Sequence, residues 1–280
     1  MCWARSRAPM RKRTTAITFV LLVTLLFSQI SAARELRVCA DPNNLPFSHR
    51  DGTGFENRII ELVARELGAS VHYTWWPQRR GMLRNTLDAG ECDVVPGIAS
   101  EVEAIATTQP YYRSSYVFVA RRDGAWATSA SFDDPRLREA VIGVQLVGDD
   151  GANPPPAHAL ARRGMLANVR GFTVYGDYAA GAPQAGIIDA LLQHEIDIAV
   201  VWGPTAGWFA RQAPVPLNVM PVAQPAPGDG PMAFDISMGV RRDDRALLEE
   251  LDRALARNAT AIEQILFEAA VPVLTAPAVE

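Results

Sequence analysis

Two spacings of apolar residues alternate along this chain. Residues 36–40 read as a short strand that Asp41 and Pro42 stop. In residues 56–67 the apolar positions Ile59, Ile60, Leu62, Val63 and Leu67 fall mostly three and four apart, and Gly68 follows. That predicts a helix with a glycine stop. Residues 71–76 alternate and are rich in β-branched and aromatic side chains, so they read as strand. A loop at 77–81, a helix at 82–89 closed by Gly90, and a buried strand at 93–98 come next. Residues 99–110 are irregular, and the apolar run 117–120 reads as a connector into a second domain.

The alternation then restarts. Residues 141–144 read as a new first strand, with a strand-end loop at 148–151. Pro154, Pro155 and Pro156 open a helix that stops at Gly164. A strand at 169–175, a loop at 177–184, a helix at 187–194 and a strand at 196–201 follow. The proline-rich residues 214–231 read as a return connection, and 234–240 as a strand. Asp243 and Asp244 can cap a helix carrying Leu247, Leu248, Leu251 and Leu255. A further helical segment lies near 261–267, and the tail after Pro272 reads as loose. Strand–helix alternation predicts α/β with largely parallel sheets. The halves echo each other: helix end, short gap, Asp93 or Asp197, then a buried strand. Two α/β lobes joined by two crossings describe a hinged binder, with lobes at 34–117 and 118–235 and a return to the first at 236–280.

Residues 1–33 read as an export signal. Arg5, Arg7, Arg11, Lys12 and Arg13 precede an apolar core at 16–30 and small residues at 31–33. No later stretch is apolar enough to predict a membrane span in the mature chain, which is expected in a periplasm. Five of the 27 bases lie in this segment and none of the 31 acids, so the remainder has 22 bases and a net charge of −9. That balance argues against nucleic acid or an anionic membrane as partner. Cys39 and Cys92 remain, in a compartment that permits disulfides. Their spacing leaves pairing open, and a parallel register that sets them several residues apart favours two buried thiols.

In open α/β sheets, ligands bind at the carboxyl ends of the strands. The loop after the first strand thus offers Asp41, Asn43, Asn44 and Phe47, and the facing lobe offers residues 148–151, with Asp149 and Asp150. Trp75, Trp76, Tyr111, Tyr112, Tyr175 and Trp202 fall at or near other strand ends and connectors, with Arg79, Arg80, Arg113 and Asp177 adding charge. Aromatic residues and arginine are common where proteins grip partners, although each is also an ordinary packing residue.

Several longer motifs carry a family resemblance. They are LRVCADPNNLPFS at 36–48, YTWWPQRRG at 73–81, PYYRS at 110–114, PPAHALARRG at 155–164, VYGDY at 174–178 and VVWGP at 200–204. The chain resembles the quinoprotein-dehydrogenase-associated periplasmic binding proteins of the MoxJ/XoxJ type, related to extracellular solute-binding family 3. The resemblance implies the type II periplasmic binding protein fold, two α/β lobes with a two-stranded hinge. It also implies an accessory to maturation or activation of a PQQ-dependent methanol or alcohol dehydrogenase, often lanthanide-dependent, with that enzyme and its cytochrome c as partners. Amino-acid-binding relatives hold the ligand carboxylate with an arginine shortly after the third strand, and the ammonium with an acid after the strand ending the second lobe. Here residues 99–103 contain no arginine, and Trp202 and Gly203 follow Val201. A charge buried without a partner costs several kcal/mol, so a free α-amino acid is not the expected ligand.

No enzyme is expected. His49, His72, His158 and His194 show no metal-ligand spacing, there is no nucleophile elbow or phosphate loop, and no cofactor or metal site is assigned. The alternative is a substrate-binding component of an ABC importer for a small solute.

Overall fold

The computed structural model describes Met1 and residues 34–100, 102–146, 153–173, 181–223 and 226–275. The expected signal segment at 2–33, the loop with Asp149 and Asp150, and Tyr175 and Asp177 lie outside the described residues. The chain divides into Met1–Arg34 and Glu35–Glu280, and the second unit is described below.

The fold is the expected α/β one. Its first sheet centres on the parallel pair β1 (Arg34–Ala40) and β5 (Val94–Ala99), in register at Val38 and Val94. β4 (Ala69–Trp75) flanks β1, and β12 (Ala233–Val240) runs antiparallel beside β5. The amphipathic helix α1 (Phe55–Glu66) packs on this sheet, and the C-terminal helices α6 (Arg245–Arg257) and α7 (Ala259–Glu268) return to the same core. Asp244 caps α6 by accepting the Leu247 N–H.

The second sheet repeats the plan. β8 (Ile142–Leu146) pairs in parallel with β9 (Val169–Thr173) on one side and β10 (Ile198–Trp202) on the other. The echo in the sequence is structural: the Asp93 N–H bonds the Arg37 carbonyl, and the Asp197 N–H bonds the Val141 carbonyl, each at 2.8 Å. Helices α3 (Pro155–Arg162) and α4 (Gly186–Leu192) cover this lobe. The long strand β7 (Tyr112–Arg121) crosses between the sheets. Its residues 112–115 pair with β12, and 116–119 pair with β10.

Four expectations need correction. Cys39 and Cys92 form a disulfide, with Cα atoms 5.6 Å apart. Residues 86–91 are turns rather than extended strand, so extrapolating the register back from β5 does not place Cys92. For the same reason the expected helix at 82–89 is a single turn, α2 (Met82–Asn85). The proline-rich return contains an edge strand, β11 (Leu217–Pro221), on β7, where its flanking prolines disturb no second neighbour. Gly203 and Pro204 open helix α5 (Gly203–Gln212), to which the sequence pattern assigns no element, because proline suits the first turn. The tail is pinned as far as Leu274, whose N–H bonds the Arg113 carbonyl at 2.8 Å.

Candidate functional site

The loop after β1 is built by Asp41. Its Oδ1 accepts the Asn43 N–H at 2.8 Å and its Oδ2 the Gln78 N–H at 2.7 Å, while Ser48 Oγ donates to its carbonyl. Asp41, buried, therefore shapes the wall and is not among the described residues that line the cavity. The same loop sets the start of α1, because the Phe55 and Glu56 N–H groups bond the carbonyls of Pro46 and Phe47. Glu56 thus enters the first turn of α1, where it is buried.

A bulge completes the floor. β12 pairs Ser237 with Ile98 but Gly239 with Val95, so Pro96 and Gly97 oppose the single residue Met238. Pro96 has no N–H to give, and Gly97 takes φ of +70°. A Cβ on Gly97 would collide with the Glu56 carboxyl, so that carboxyl lies directly on the glycine. The Tyr111 hydroxyl accepts the Gly97 N–H at 3.0 Å and reaches Glu56 Oε1 only at 3.5 Å.

Above this floor lies a cavity of about 280 Å³ between the lobes. Phe47, Tyr112, Tyr116, Trp202, Phe234 and Ile236 supply its apolar lining. Asn44, Glu56, Gln78, Gln145 and Thr205 supply its polar side chains. Tyr116, Trp202 and Phe234 meet as an aromatic corner, with centroids 5.3–6.5 Å apart and planes at 65–79°. Gln145 Oε1 accepts the Trp202 N–H at 3.1 Å, which fixes the end of β10. Across the opening, Gln184 Nε2 donates to the Asn43 carbonyl at 3.1 Å and to Asn44 Oδ1 at 2.9 Å, fastening the two lobes.

Among the described residues Glu56 is the lining's only ionisable carboxyl, and no arginine, lysine or histidine among them lines the cavity. Burial pushes its carboxyl up to about 8, against an opposing hydrogen bond from Tyr111. The first turn of a helix favours the charged form by at most about 2 kcal/mol, whereas a rise from 4.5 to 8 corresponds to about 5 kcal/mol, so burial prevails.

Of the residues expected from sequence, Asn44, Phe47, Tyr112 and Trp202 line the cavity. Asn43 sits in the lobe-to-lobe contact, and Tyr111 lies behind Glu56. Trp75 stacks on Tyr73 at 4.5 Å, and Trp76 packs beside the disulfide cluster. Arg113 pairs with Asp235 at 2.6 Å, and Arg79 and Arg80 are exposed. Sequence reasoning missed Glu56, Gln78, Gln145, Gln184, Thr205 and the hinge aromatics Tyr116 and Phe234. Glu56 did carry a signal: it shares a helical face with Ile59, Ile60 and Val63, where an acid is out of place.

Comparison with known proteins follows this geometry. The family described as bacterial extracellular solute-binding proteins, family 3, matches residues 36–264. Protein MoxJ of Methylorubrum extorquens is 34% identical over 252 residues, covering 86% of this chain and 82% of that one. Protein MoxJ of Paracoccus denitrificans is 28% identical, covering 86% and 89%. Among solved structures, periplasmic binding protein XoxJ from Methylobacterium extorquens AM1 is 37% identical with a TM-score of 0.71, covering 86% of this chain and all of that one.

Proposed function

We propose that this chain, which belongs to the bacterial extracellular solute-binding proteins of family 3, is a periplasmic accessory binding protein of a PQQ-dependent methanol or alcohol dehydrogenase. It assists that enzyme's maturation or activation by closing two lobes on a guest, without itself catalysing a reaction. The observation that carries this reading is likeness to MoxJ and XoxJ over nearly the whole of their chains, at 34% and 37% identity. The site agrees with it. An interlobe cavity with aromatic walls and no arginine among its described lining residues is poorly suited to the carboxylate of a free amino acid. The test is capture from a periplasmic extract on immobilised mature protein, read by mass spectrometry. Enrichment of a quinoprotein dehydrogenase is expected, and its repeated absence from the captured set refutes the reading.

Family membership favours a second reading, the solute-binding component of an ABC importer. A saturating solute at 100 times its Kd stabilises by about 2.7 kcal/mol. A thermal-shift screen of small solutes that stays flat, with a shift on adding the dehydrogenase, rejects the importer.

A further inference from the structure

The cavity has an unusual charge plan. Among the described residues its one carboxyl is Glu56, 4% exposed, and the contact from the Tyr111 hydroxyl is to Oε1. Tyr111 gives Oε1 only a bond at the outer limit of hydrogen-bonding distance. Among the described residues the groups facing this carboxyl are neutral: Tyr111 just before β7, Tyr112 at its start, Gly97 from β5, and Tyr73 from β4 more remotely. Five aromatic rings line the remaining space, three of them set steeply against one another. Ring faces carry negative potential and attract cations, tryptophan most strongly. Thr205, fully buried on the same lining, leaves its hydroxyl without a partner among the described residues. The volume, about 280 Å³, lies at the lower edge of small-molecule sites, which suits a compact group rather than an extended peptide.

We propose that the cavity is a site for a small organic ammonium group without a carboxylate, paired with Glu56 and enclosed by Tyr112, Tyr116, Trp202 and Phe234. This rests on reading the interlobe cleft as the gripping site of a binding protein. A carboxylate on the same guest would find no lining cation among the described residues, which sets the site apart from one for amino acids. The ammonium belongs either to a free quaternary or primary amine, or to a lysine side chain of a partner. Proton balance is explicit. The empty site holds Glu56 as the neutral acid at pH 7, and pairing with a cation releases that proton to solvent. Affinity for a quaternary ammonium therefore rises about tenfold per pH unit from 6 towards 8, then levels.

The test is calorimetric titration of the mature protein with choline, with its uncharged isostere 3,3-dimethylbutanol, and with Nα-acetyl-lysine methylamide. Choline or the lysine probe is expected to bind at least about tenfold tighter than the alcohol, with proton release at pH 7 and the pH slope above. The tighter of the two cations identifies the source. Glu56→Gln is expected to lose that preference while melting cooperatively. If that variant does not fold, Trp202→Leu is expected to lose cation affinity instead. Equal binding of choline and the alcohol, no binding of either cation, or cation binding by Glu56→Gln at the parent affinity overturns the inference. Dehydrogenase capture without cation binding overturns this inference alone. Cation binding without dehydrogenase capture overturns the accessory reading alone.

Discussion

Replacing Glu56 with glutamine should make the protein more stable at neutral pH, against the ordinary expectation for a buried polar residue. The folded state raises the Glu56 pKa from 4.5 to about 8 through burial. Between those values the folded chain binds more protons than the unfolded one, so stability falls as pH rises. The contribution is complete below 4.5 and gone above 8. The loss reaches about 3 kcal/mol at pH 7 and about 5 kcal/mol above pH 8. Glutamine has nearly the same shape and no charge to desolvate, so the variant escapes this slope. Urea unfolding of both proteins at pH 5, 6, 7 and 8 separates the effect from other titrating groups, because only the difference between the two proteins is read. The variant should gain on the parent steadily across that range. Parallel curves would refute the claim that Glu56 lacks a compensating cation.

Replacing both Cys39 and Cys92 with alanine should cost about 4 kcal/mol, because the bond closes a loop of 53 residues; the urea midpoint of the oxidised parent against the double variant measures it. Gly97→Ala forces a side chain into a backbone at φ +70° and against the Glu56 carboxyl, so it should destabilise by more than about 2 kcal/mol. Combined with Glu56→Ala it should cost less than the two changes summed, as a double-mutant cycle reads directly. Gln184→Ala removes both hydrogen bonds between the lobes, each worth about 1 kcal/mol; solution scattering should report a larger radius of gyration than the parent, and equal radii would count against the latch.

The α/β plan could be read from the chain because periodicity reports which face of each element is buried, and α1, β1, β10 and α6 obey it. The cavity was only half readable. Aromatic residues at strand ends, such as Phe47 and Trp202, announce themselves by position. Gln145 and Gln184 look like any polar surface residue until the lobes are brought together. Tyr116 and Phe234 escape notice because nothing local shows that β7 changes partner from β12 to β10 beside them. Glu56 stands in a first helical turn, where an acid suits the dipole and so draws no notice. The pairing of Cys39 with Cys92 escaped because strand register constrains only residues that are in strands, and Cys92 follows turns.

The aromatic corner stands where the two sheets exchange strands: β7 changes partner from β12 to β10 between Ser115 and Tyr116, and Phe234 lies on β12 opposite that change. On the reading proposed above, the same side chains meet the guest and form the pivot. Selection cannot retune the guest at Tyr116 or Phe234 without altering how readily the jaws swing, nor loosen the swing without reshaping the seat. On that reading the choice of guest and ease of motion are one inherited trait, and a shift in either during divergence from its relatives should show up in both.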